Sequence, residues 1–282
     1  MIIKVPLHVS GLWIPHYEKD PLRTGSTGAG LNLGLTCVAT PEPADCSVVL
    51  EEGSSLWNSS PSWVIQTCGE AGISVRTRVE CPVPIRAGFA VSSAIAISHS
   101  LASFLLAGKG SMRALQHAHR VEVETGGGLG DVLAQYVGGF EIRVKPGAPG
   151  VGEAYRVLTP ENPALIVGVL RGEEETGGML KRITQETYEH GADLLTRVIE
   201  SESLLDFFAS AKDFTKRVFD YSRVQVLERA RGVVGYYLKK SALIVWVERE
   251  YMNDVLDIVN GLTVKSFSTT LSQTGVVVEN PR

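Results

Sequence analysis

Long apolar runs are missing from this 282-residue sequence; no stretch approaches the roughly 18 residues that a membrane-spanning helix needs. A surplus of basic charge is missing too. The 27 Lys and Arg are outnumbered by 31 Asp and Glu, leaving a formal net charge of -4 and no general positive field for a nucleic-acid backbone. Cysteine is sparse. Cys37, Cys46, Cys68 and Cys81 form no C-x-x-C pair and have no nearby histidine cluster, which argues against a structural zinc site and for reduced core residues. The opening segment MIIKVPLHVSGLWIPHY has neither a separate basic stretch nor a small-residue cleavage site, so a cytoplasmic protein is expected. Two nucleotide fingerprints are absent as well. G-x-x-x-x-G-K-[ST] occurs nowhere, and after Gly28 and Gly30 the third glycine of G-x-G-x-x-G is replaced by Leu33.

What the chain has in excess is glycine. It carries 29, where ordinary usage would give about 20, and most of them precede residue 151. A hydrophobic content of 44% provides for a real core, and the length suits two domains.

Residues 2–9, 30–39, 46–52 and 73–80 read as strands, so the opening third is expected to be sheet. A buried helix follows from Ser92 to Gly108, a second from Ser111 to about Thr125, and a short third from Asp131 after the GGGLG break. Gly138-Gly139 then leads into the strand FEIRVKP. The segment from Pro146 to Gly150 reads as a linker dividing residues 1–150 from 151–282. Beyond it the order is strand 164–170, a helical region over 179–219, two strands about a Lys239-Lys240 turn, a helix near 250–260, then TVKSFS and GVVVE. That order fits a ferredoxin-like unit.

Three segments carry candidate chemistry. Small residues from Gly88 to Ala94 run into the first helix, where free backbone N–H groups and the helix dipole can face a phosphate. Ser92 either offers its hydroxyl to a phosphate-bound metal or simply caps that helix. Glu122 and Glu124 end the second helix, and residues two apart face different sides, so at most one serves a common site. Asp131 opens the third helix, where the dipole favours its ionised form; it is either a weak base or a cap.

Gly88 to Ala94 resembles the G-L-G-S-S-A-A phosphate loop of the GHMP kinases, and Glu122 followed by GGGLGD and GG resembles their metal-ligand and catalytic-aspartate segment. More narrowly, His8-Val-Ser-Gly, the segment Asp20 to Gly30 and Gly-Leu-Gly-Asp131-Val-Leu-Ala-Gln look like the archaeal pantoate kinase branch of that family. The resemblance implies an α+β protein of two domains: an N-terminal mixed βα domain with a glycine-rich phosphate loop, which binds ATP and Mg²⁺, and a C-terminal ferredoxin-like α/β sandwich. It implies ATP at Gly88, Phe89, Ala90, Val91, Ser92 and Ser93, Mg²⁺ on Ser92 and Glu122, and Asp131 orienting or deprotonating the attacking hydroxyl. A homodimer is a further family expectation.

Two departures stand out. Ala90 occupies the place of the loop's second glycine and Val91 that of its first serine, while the C-terminal glycine motif survives only as an echo in Gly232-Val-Val-Gly235 and Lys239-Lys240-Ser241-Ala242. If residue 90 needs positive φ, alanine there costs on the order of 1–2 kcal/mol.

For a substrate bearing a carboxylate and two hydroxyls, such as pantoate, a guanidinium fork is the natural receiver. Arg143 is preferred for it over Arg23. His119 shares a helix face with Glu122; Ser26 lies among glycines; Thr176 follows the strand at 164–170, and all three are substrate-side candidates. His117 and His99 are expected as packing residues. The expected reaction is phosphorylation of the primary hydroxyl of pantoate on the way to coenzyme A, with mevalonate or homoserine as rival alcohols and a silent ligand-binding paralogue as the non-enzymatic alternative.

Overall fold

A computed structural model describes residues 1–52, 55–171 and 183–280. Two sheets organise them. The larger is built on a long antiparallel pair, β1 (Ile2–His16) and β2 (Gly25–Glu42), whose register shifts between Pro6 and His8 and again between Ser10 and Leu12. β5 (Arg76–Glu80) joins β2; β3 (Ser47–Glu52) lies parallel to β5 and carries β4 (Ser55–Ser59) on its outer side. β6 (Phe140–Lys145) pairs with the other half of β2 and with β7 (Glu153–Arg156). The free side of β1 takes β12 (Val277–Glu279), so the final strand returns to the first sheet.

Helix α2 (Val91–Leu106) lies against this sheet, and every residue from Ser93 to Phe104 is buried. Its sequence of Ala, Ser and Ile on all faces suits that position, because small side chains let backbone pack closely on both sides. Helix α3 (Ser111–Glu124) covers α2, and the short α4 (Asp131–Val137) crosses to β1 and β6.

The smaller sheet has the antiparallel order β11 (Thr263–Thr269), β8 (Ala164–Leu170), β10 (Ala242–Val247), β9 (Val233–Lys239). With α5 (Gln185–Ser201), α6 (Leu204–Lys216) and α7 (Met252–Leu262), the chain runs strand, helices, two strands, helix, strand, the ferredoxin-like order expected. α6 packs on both β9 and β1. A Cβ at Gly11 would collide with Phe207 and Ala211, so glycine there lets helix meet strand. Tyr237 on β9 stacks edge-on against Phe207 at 5.6 Å and donates from its hydroxyl to the Val9 carbonyl at 2.9 Å. The second sheet is thereby fastened to β1, the strand that carries His8.

Two expectations fail. The opening third is not all sheet, because Ser62–Ala71 form helix α1, entered after Pro61 and closed by Gly72 at φ 80. Its buried positions Val64, Thr67, Cys68 and Ala71 keep helical spacing, but a threonine and a cysteine blur the apolar stripe. The cysteines are not reduced. Cys37 pairs with Cys81 and Cys46 with Cys68. The β2–β5 register sets Val38 opposite Glu80, which brings the two neighbouring cysteines face to face across the strands. Among the described residues no helix is long and apolar enough to cross a membrane.

Candidate active site

Three elements converge where the segment from Arg86 to Ser93 meets the start of α4 and the end of α3. The loop backbone alternates through the left-handed region at Arg86 (φ 72), Gly88 (φ 104) and Ala90 (φ 57). Alternation of this kind is the backbone pattern from which anion-binding nests are built. Helix α2 begins at Val91 with no side chain capping it, so Ser92 is not the cap that one reading allowed. Ala90 tolerates positive φ because its neighbours hold it there. Its carbonyl accepts from Gln135 Nε2 at 3.2 Å, and the single Ser93 hydroxyl proton is shared between that carbonyl at 2.9 Å and Gln135 Oε1 at 2.6 Å. Ser93 is therefore a buried brace, and any nucleotide contact from Phe89, Ala90, Val91 and Ser93, all buried, would come from their backbone.

Ser92 Oγ instead donates to Glu122 Oε2 at 3.1 Å, and the Gly128 N–H donates to the same oxygen at 2.9 Å. Glu122 is buried, whereas Glu124 is exposed, as the two-residue offset requires. Burial, with the Asp131 charge adding to it, pushes the Glu122 carboxyl up to about 7 against the Gly128 and Ser92 hydrogen bonds. A hydroxyl and a carboxylate sharing one spot form an all-oxygen donor pair, which suits a hard divalent cation that keeps phosphate and water among its ligands.

Asp131 stands in the first turn of α4, nearly buried. Burial alone would raise its carboxyl. The Lys239 ammonium at 3.7 Å from Oδ1, helped by His8 Nδ1 at 3.1 Å and by Arg143, holds it well below the usual carboxylate range. Lys239 and Lys240 come from the β9–β10 hairpin of the smaller sheet, with Lys240 at φ 56 in the turn. Lys239 also lies over the Trp13 ring at 5.7 Å. Burial, then Lys239 and Arg86, lower the Lys240 ammonium against the opposing pull of Asp131 and Glu122. Sequence reading had caught these lysines only as an echo of a motif.

Of the residues expected to meet substrate, Ser26 Oγ and Arg143 Nε both lie beside Gly130, where a Cβ would strike them. Arg143 is completely buried. Its Nη1 meets Glu141 and its Nη2 reaches the Leu12 carbonyl at 3.3 Å, which leaves Nε–H without a partner among the described residues. Arg23, by contrast, is 73% exposed and faces Asp20 at 4.0 Å. His119 is buried with Nε2 2.8 Å from the Thr24 carbonyl, holding the segment that leads to Ser26. Thr176 lies outside the described residues. His117 and His99 pack as expected: His117 bridges Thr67 and Glu70, and His99 lies 2.9 Å from Thr77. His8, Glu141 and Gln135 were missed as working residues, although His8 belonged to the most distinctive segment.

No protein-family profile matches the chain. Solved structures do match it along nearly its whole length. A phosphotransferase related to the coenzyme A biosynthesis pathway superposes with a TM-score of 0.79 at 21% identity, over 98% of both chains. The mevalonate kinase of Methanococcus jannaschii superposes at 0.68 with 14% identity, over 97% of this chain and 98% of that one. The chain has the GHMP kinase fold. Curated sequence relatives extend the likeness. The pantoate kinase of Thermococcus kodakarensis is 32% identical over 177 residues, and that of Methanospirillum hungatei 30% over 155. These matches span 58% of each chain in the first case, and 51% of this chain and 53% of the relative in the second, so this GHMP-fold chain matches little more than half the length of either.

Proposed function

We propose that the protein is an ATP-dependent kinase that phosphorylates the primary hydroxyl of pantoate, giving 4-phosphopantoate for coenzyme A synthesis. One observation supports the reaction class above the rest: an ionised Asp131 stands beside the Ser92–Glu122 oxygen pair and the left-handed loop at Arg86 to Ala90. The pantoate kinase relatives support the substrate.

In this reading the loop backbone and the start of α2 bind the ATP phosphates, while Lys239 and Lys240 balance their charge from the opposite side. Ser92 Oγ and the Glu122 carboxylate are the residues that would hold Mg²⁺, whose chemistry is neutralisation of charge on the phosphate oxygens. Asp131 accepts a hydrogen bond from the substrate hydroxyl. As the hydroxyl oxygen bonds to the γ-phosphorus, the bond from that phosphorus to the β,γ-bridging oxygen breaks, ADP leaves, and the hydroxyl proton passes to Asp131 and on to solvent. A carboxylate held well below its usual range is a poor base, but a loose phosphoryl-transfer transition state asks mainly for alignment and charge balance. Ser26 Oγ and the unpartnered Nε–H of the buried Arg143, both beside Gly130, are in this reading the groups turned toward the substrate carboxylate.

An ATP-consumption assay with pantoate, mevalonate and homoserine tests the reading. Turnover is expected with pantoate; turnover with only another alcohol would reassign the substrate, and none with any would point to a ligand-binding protein. Asp131→Asn is expected to cut kcat by about 100-fold or more while nucleotide still binds. Activity near the starting level would remove Asp131 from the mechanism.

A further inference from the structure

Behind the site runs a file of ionisable side chains: Arg143, Glu141, His8, Asp131, Lys239. Arg143 pairs with Glu141; His8 Nε2 lies 3.1 Å from Glu141 Oε1; His8 Nδ1 lies 3.1 Å from Asp131 Oδ1; and Lys239 Nζ closes the file at 3.7 Å from the same oxygen. Arg143, Glu141 and His8 are completely buried.

The glycines around the file show how much the fold concedes to it. A Cβ on Gly30 would collide with His8 Nε2 and crowd Glu141 Oε1. One on Gly28 would come within 2.8 Å of Arg143 Nη2, and one on Gly130 within 2.7 Å of Arg143 Nε. Two glycines of the GSTGAG segment and the glycine just before Asp131 thus make room for buried charged side chains as well as for any ligand.

We infer that His8 is a positioning residue, which locks the Asp131 carboxylate in the orientation that phosphoryl transfer needs. Both of its partners engage Oδ1, so Oδ2 is the oxygen left for the substrate hydroxyl. A rigid ring suits the task. Its two nitrogens each meet the oxygen of a different carboxyl group, Asp131 on one side and Glu141 on the other. Glu141, fixed in turn by Arg143, holds the far side of the ring and stops it rotating away. Removing one member would leave a buried charge unpaired, so the file acts as a unit.

The inference rests on the kinase reading of Asp131, and the experiment separates the two. Wild-type protein, His8→Gln and Glu141→Gln are compared in steady-state ATP consumption with pantoate, mevalonate and homoserine. His8→Gln is expected to lower kcat by about 10- to 100-fold, with the KM for ATP and for the alcohol each within about threefold of wild type. Glu141→Gln keeps its shape and is expected to lower kcat by about three- to tenfold at unchanged KM, a readout that survives if His8→Gln does not fold. Unchanged kcat in a folded His8→Gln, or in Glu141→Gln should the former not fold, overturns the inference alone. An effect confined to KM does the same, since it would make His8 a binding residue. A wild type inactive with all three alcohols overturns the kinase reading, and this inference with it.

Discussion

The carbonyl of Lys239 lies against the α-carbon of Gly88, so close that a Cβ on Gly88 would overlap it. The hairpin of the smaller sheet therefore closes on the backbone of the candidate phosphate loop, which lies between β5 and α2. Gly88 is also at φ 104, a conformation alanine avoids. Gly88→Ala is expected to push the hairpin away, lowering Tm and reducing kcat/KM for ATP by at least about tenfold. Thermal melts and ATP titrations check it; wild-type values in both would mean the hairpin contact is dispensable.

Lys239 closes the His8 file, its ammonium 3.7 Å from Asp131 Oδ1. In Lys239→Met, kcat is expected to fall by about tenfold or more, and Lys239→Arg to recover part of the loss by keeping the charge. Equal activity in both variants would show that the charge is not what matters.

Ala90 is a non-glycine residue in left-handed backbone, and its strain is countered by Gln135 and Ser93. Ala90→Gly is expected to relieve about 1 kcal/mol and raise Tm by about 2–4 °C, without weakening ATP binding. Differential scanning calorimetry decides this. A lower Tm would show that backbone entropy outweighs the relieved strain.

His99 is fully buried beside Thr77 and the Val64 carbonyl, and burial pulls its ring down from 6.5 to about 4. A lowered folded value means the unfolded chain takes up the proton first. The contribution is complete above about pH 6.5 and is lost as pH falls toward 4, on the order of 3 kcal/mol in all. Urea denaturation at pH 7 and pH 4.5 is expected to show a smaller drop in His99→Gln than in wild type; identical drops would count against it.

Much of the fold was legible along the chain. Helix α2 announced itself by its run of small and apolar residues, α3 and α4 by the glycines between them, and the ferredoxin-like order by alternating strand and helix textures. Helix α1 was not, because a threonine and a cysteine stand in its buried stripe. In the site, local sequence offered Ser92, Asp131 and one of Glu122 and Glu124 as candidates, the family resemblance selected Glu122, and the geometry brings Ser92 to Glu122. Arg143 was named as a receiver for a carboxylate; it lies buried against Glu141 with its Nε–H left unpartnered. Nothing in the strand FEIRVKP distinguishes an arginine facing a ligand from one facing a glutamate two residues back.

The sequence by itself determined the glycine-rich segments, the carboxylates that flank them and the order of elements, because each of these depends on residues close together in the chain. Tertiary structure alone decided that His8 bridges Asp131 and Glu141, that Lys239 crosses from the second sheet to the first, and that the four cysteines pair. These contacts join residues far apart in sequence, and they are fixed by strand register, by the bulges in β1 and by the docking of α6. The excess glycine shows the division most plainly. Composition reveals that unusual backbone or close approach is needed, but only the folded chain shows that at Gly28, Gly30 and Gly130 the space is filled by buried charged side chains.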